Sequence, residues 1–168
     1  RKYTILALMQ YSDLREDGVS LRAACRVADH LMTQVGPGLK AINKCGNYRG
    51  MASCSILEPI VGLYTRTKDA RYLAFAKYIA SQLDAQEGGA QLISKALAGI
   101  DVGNRFPHPK KWWEEENGMK AYEMMSCYQG LLELYKVTSE QQYLDAAIAT
   151  SKSIMATEIN VAGSGAAF

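Results

Sequence analysis

An all-α fold of stacked helical hairpins is predicted by three observations. The phrase Leu63-Tyr-Thr-Arg-Thr-Lys-Asp-Ala-Arg-Tyr-Leu-Ala-Phe-Ala76 recurs without a gap as Leu134-Tyr-Lys-Val-Thr-Ser-Glu-Gln-Gln-Tyr-Leu-Asp-Ala-Ala147, coinciding at its Leu-Tyr, Thr, acidic, Tyr-Leu and Ala positions. A looser copy, from Gln10-Tyr11 to Ala24, fits after one inserted residue. Flanking apolar residues keep helical spacing, and nothing reads as a strand of a central sheet. One hairpin cannot bury its apolar face alone, so repeated copies must stack into a solenoid or close into a toroid.

The elements follow in order. Arg1 to Met9 has a basic start and a short apolar stretch, which continues a helical pattern instead of forming a leader. Gly36 to Gly50 is the first long connection. Ser55-Ile-Leu-Glu58 reads as a capping box that puts Pro59 in the first helical turn. Asp69 is the acceptor that opens the second helix of the middle hairpin. The second connection, Glu87 to Gly118, is long enough for a short helix at Gln91 to Ala98. Residues 119 to 137 form the next helix, with a stripe at Met125, Tyr128, Leu132 and Tyr135. Ser139 to Gln142 is a further capping box, and the last helix carries a stripe at Leu144, Ala147, Ile148, Ser151, Ile154 and Met155. The helices of residues 52 to 66 and 119 to 137 should run parallel, each antiparallel to the helix after it. The start inside a helix and the end at Gly163-Ser-Gly-Ala-Ala-Phe168 give the expectation of one partial domain over residues 1–168, cut at both ends.

Composition narrows the classes. With 168 residues, 48% apolar and 21% charged, the chain has enough apolar residues for a core and is not a disordered tract. A net charge of +2 with interspersed signs argues against a nucleic-acid partner. The apolar runs fall short of a membrane span. Cys25, Cys45, Cys54 and Cys127 lack Cys-x-x-Cys spacing, so they read as buried free thiols, and no metal is expected in this segment. The compartment stays open between cytoplasmic and periplasmic or secreted.

Candidate site residues lie in the connections, where a regular helical scaffold carries its function. Arg105 to Gly118 combines His108, held between two prolines, with Trp112, Trp113, Glu116 and Asn117. Sugar sites need such a mixture: an aromatic face covers the C–H side of the ring, while carboxylates, amides and imidazoles take its hydroxyls. The competing reading is of tryptophan plugs beside a solvated acidic helix start. Tyr48 and Arg49, between glycines, could grip a hydroxyl or a carboxylate, or simply form a turn. Lys120, Tyr122 and Glu123 open the next helix beside the same rim. The sequence contains no Ser-His-Asp set, Walker loop or His-x-x-x-His.

Gly118 to Thr138, Tyr143-Leu144 and Thr157-Glu-Ile-Asn-Val-Ala-Gly-Ser-Gly165 resemble the (α/α)6-barrel β-L-arabinofuranosidases of glycoside hydrolase family 127, and the resemblance runs over essentially the whole chain. It implies about half of an (α/α)6 toroid whose first helices form the inner ring, with the loops before them lining a sugar pocket. On this chain those are the surroundings of Tyr48 and Arg49, the stretch from His108 to Asn117, and residues 160 to 168. The resemblance implies a general-acid glutamate and a zinc-bound, cysteine-rich nucleophile site after Phe168, transferred to none of the four cysteines here. The chain departs from the family at Gly50-Met51 and Met119-Lys120, where characterised members carry Gly-His pairs.

The implied function is that of a segment of a glycoside hydrolase acting on plant or microbial polysaccharide glycosides, β-L-arabinofuranosides among them. Its expected partners are carbohydrate and either the rest of the barrel or a second copy. The other readings are a helical-repeat scaffold for a protein partner and a toroidal lyase or epimerase on uronic sugars, the latter favoured if Arg49 and Lys120 converge on a carboxylate.

Overall fold

A computed structural model describes residues 1–107 and 120–165. Eight α-helices occur among them: α1 Lys2–Arg15, α2 Gly18–Met32, α3 Met51–Cys54, α4 Leu57–Thr67, α5 Ala70–Leu83, α6 Leu92–Leu97, α7 Ala121–Thr138 and α8 Gln141–Thr157. No strand forms among the described residues; only isolated bridges join Val35 to Lys40 and Ile159 to Gly165.

The repeated phrase folds into a repeated turn. Lys68 and Ser139 each end their helix in the left-handed region at φ 57°, and Glu16 does so at 51° in the looser copy. The Thr67 and Thr138 hydroxyls donate to Leu63 and Leu134 carbonyls at 2.8 Å, and each accepts the next helix's opening amide, from Asp69 or Glu140, at 3.2 Å. Asp17 and Asp69 then cap α2 and α5 by accepting first-turn amides. The hairpins are therefore α1/α2, α4/α5 and α7/α8.

Contacts between hairpins set the direction of the first helices. Lys2 reaches Glu58 at 3.1 Å, Gly62 lies against Met9, and Arg66 Nε donates to Asp13 at 2.9 Å, so α1 and α4 run parallel. The Cys127 thiol donates to the Met51 carbonyl at 3.4 Å and Gly130 lies on Leu57, so α7 runs the same way. The second helices are tied in the same order: Tyr72 donates to Asp29 at 3.0 Å and Lys77 pairs with Glu140 at 2.8 Å. Between the layers lies a core that includes Ile5, Met9, Leu57, Ile60, Leu63, Tyr72, Ile79, Leu131 and Leu134. This is the expected all-α hairpin array, an arc of a toroid with α1, α4 and α7 on one side.

Several local expectations are corrected. The Ser55 hydroxyl caps nothing; it donates back to the Ala52 carbonyl at 3.0 Å, in the break between α3 and α4, although Pro59 does fall in the first turn of α4. Ser139 closes α7 and does not open α8, because the Thr138 hydroxyl already fixes the turn. The buried face of α8 is Tyr143, Ala146, Ala147 and Thr150, leaving Ile148 and Met155 exposed. Small side chains let α6 and α7 approach there, and this turns the helix away from its bulkier stripe. In α7 the buried set is Met124, Cys127, Tyr128, Leu131 and Leu134, with Met125 outside. Cys54 and Cys127 are buried as expected, but Cys25 is half-buried and Cys45 exposed.

The connections are firmly held. Asn43 donates to the Gln82 and Glu87 carbonyls at 3.1 and 3.2 Å, and Ser53 to the Ile42 carbonyl at 2.6 Å. Asp84 accepts the Ile93 and Ser94 amides and so opens α6 within the expected residues. Arg105, 3% exposed, donates to the Ile100 carbonyl at 2.9 Å and to the Tyr128 and Thr150 hydroxyls at 2.8 and 2.7 Å. It locks the loop after α6 onto α7 and α8.

Candidate functional site

Because α1, α4 and α7 are parallel, their N-termini share one end of the array. A cavity of about 710 Å³ opens there. Arg1, Lys2 and Tyr3 line it from the start of α1, Ser55 and Ile56 from just before α4, and Tyr122 and Glu123 from the first turn of α7. The facing wall is Leu31, Val35, Lys40, Ile42 and Cys45, from the end of α2 and the connection behind it.

The start of each of these three helices lacks a side-chain cap, at Arg1, Ile56 and Lys120, whereas α2 and α5 have carboxylate caps on the far side. The starts of α1 and α7 thus bring first-turn amides to the cavity end, whereas α4 follows a helical residue and carries Pro59, which has no N–H, in its first turn. Tyr3 and Tyr122, 60% and 58% exposed, present aromatic surface on the lining. Lys2 is held by its Glu58 ion pair. Among the described residues Glu123 is the one carboxylate on the lining, and its Oε2 is buried with no hydrogen-bond partner there. Burial costs a carboxylate oxygen its water, and no described residue returns a donor.

Of the candidates read from the sequence, Tyr122 and Glu123 come together in this cavity. Lys120 stands one step outside it as the N-cap of α7. Tyr48 and Arg49 do not line it either. With Gly50 they form three successive left-handed residues, at φ 56°, 50° and 76°, and a Cβ on Gly50 would stand 2.5 Å from the Asn43 carbonyl oxygen. Arg49 lies near Lys95, whose pKa is lowered by burial and by the Arg49 and Arg105 cations. Lys95 in turn donates to the Arg105 carbonyl at 2.6 Å and lies over the Phe106 ring. His108, Trp112, Trp113, Glu116 and Asn117 lie outside the described residues.

Sequence reasoning missed Lys2, Tyr3, Lys40 and Cys45. The signal was available for the first two, since the repeat makes the opening of α1 the counterpart of the opening of α7. The others come from the connection and carry no motif. Among the described residues no group of three or more His, Cys, Asp or Glu could hold a metal ion. Burial pushes the Cys54 thiol up to about 12 and Cys127 well above its ordinary value, so these two are poor thiolate ligands.

A family model described as β-L-arabinofuranosidase, GH127 catalytic domain, matches residues 2–164. No curated protein and no solved structure matches the chain.

Proposed function

Since the chain belongs to the GH127 β-L-arabinofuranosidase-like catalytic-domain family, we propose that its cavity is a sugar-binding part of a glycoside hydrolase acting on polysaccharide-derived glycosides, β-L-arabinofuranosides included. The observation that carries this reading is the meeting of three parallel helix starts around one cavity with Tyr3, Tyr122 and Glu123 on its lining. Exposed tyrosine rings supply faces for sugar C–H groups, and helix-start amides and a carboxylate supply the polar contacts. The expected chemistry in the whole protein is glycosidic cleavage with a carboxyl acid protonating the leaving oxygen, and this chain contributes residues that position the sugar. Neither Arg49 nor Lys120 lines the cavity, which gives the uronic-sugar lyase reading no support.

The test is release of 4-nitrophenol from a panel of 4-nitrophenyl glycosides, including the β-L-arabinofuranoside, by protein carrying this chain, together with glycoside binding to the chain itself. Binding is expected to weaken by about 1–2 kcal/mol in Tyr3→Ala or Tyr122→Ala, the scale of a lost aromatic contact. If no glycoside is bound or cleaved, or if both variants bind as tightly as the parent, the reading fails.

A further inference from the structure

We draw no further inference here: the strongest candidate, the cation cluster of Arg49, Lys95 and Arg105 beside α6, carries nothing, because none of the three lines the cavity and nothing in the structure shows what anion would cover it.

Discussion

Gly130 of α7 faces Leu57 of α4 with no room for a side chain between them. A Cβ on Gly130 would stand 2.8 Å from the Leu57 Cβ and 3.0 Å from the Glu58 amide nitrogen. This close approach seats α7 on α4 and so helps to set where the start of α7, with Glu123, meets the cavity that Lys2 also lines. Gly130→Ala gains helix propensity but forces the backbones apart, and overpacking outweighs the gain. The expected loss is about 1–3 kcal/mol by urea unfolding, with weaker ligand binding because the cavity wall shifts. An unchanged midpoint would contradict the close packing.

The four cysteines should separate by reactivity. Cys45 is exposed and Cys25 half-buried, while burial raises the pKa of Cys54 to about 12 and that of Cys127 well above a free thiol. At pH 8, mass spectrometry after iodoacetamide treatment should show Cys45 modified first and Cys25 more slowly. Cys54 and Cys127 should react only after denaturant is added. Fast labelling of Cys54 would place it at the surface.

Stability should fall in acid. Asp13 is held below its ordinary value by the Arg66 hydrogen bond, Asp17 by Ser20 and the Val19 and Ser20 amides, Asp69 by Arg71, and Glu140 by Lys77. Each is a depressed carboxylate. The stability it contributes is full above its unfolded pKa, about 4, and is lost as pH falls through the lower folded value. Urea midpoints should hold from neutral pH to about 5 and decline below about 4. Asp69→Asn, which keeps a capping oxygen and loses the titrating group, should flatten part of that decline.

Arg105 should be costly to replace. Its guanidinium bonds the Ile100 carbonyl and the Tyr128 and Thr150 hydroxyls from a buried position. Removing it leaves buried polar groups unpaired, and lysine lacks the planar fork that reaches them together. Arg105→Ala and Arg105→Lys are each expected to destabilise the chain by about 2–4 kcal/mol, read by urea unfolding. Limited proteolysis should cut earlier in the loop after α6. Wild-type resistance in both variants would show that the loop is held by other contacts.

Parts of this architecture were legible in the sequence because they depend on short-range chemistry. Thr67 and Thr138 stand at equal distance before Asp69 and Glu140, and the same hydroxyl-to-amide turn forms in both copies. Asp69 caps α5 and α6 spans the expected residues for the same reason. The stripe on α8 was misread because periodicity gives a helix an apolar side without saying which neighbour it meets. Ala146, Ala147 and Thr150 win the buried face by being small enough for α6 and α7 to approach, while Met155 stays 69% exposed.

The sequence by itself determined the all-α class, the three hairpins and their turns, since a repeated phrase with the same hydroxyls and acidic residues repeats the same local hydrogen bonds. Tertiary structure alone decided which candidates share a site. Tyr122 and Glu123 meet Lys2, Tyr3, Lys40 and Cys45 in one cavity, while Tyr48 and Arg49 do not line it. The reason is physical: a turn is fixed by neighbours a few residues apart, but a cavity is fixed by how closely whole helices pack. Here that closeness is set by contacts such as Gly130 on Leu57, between residues far apart in the chain.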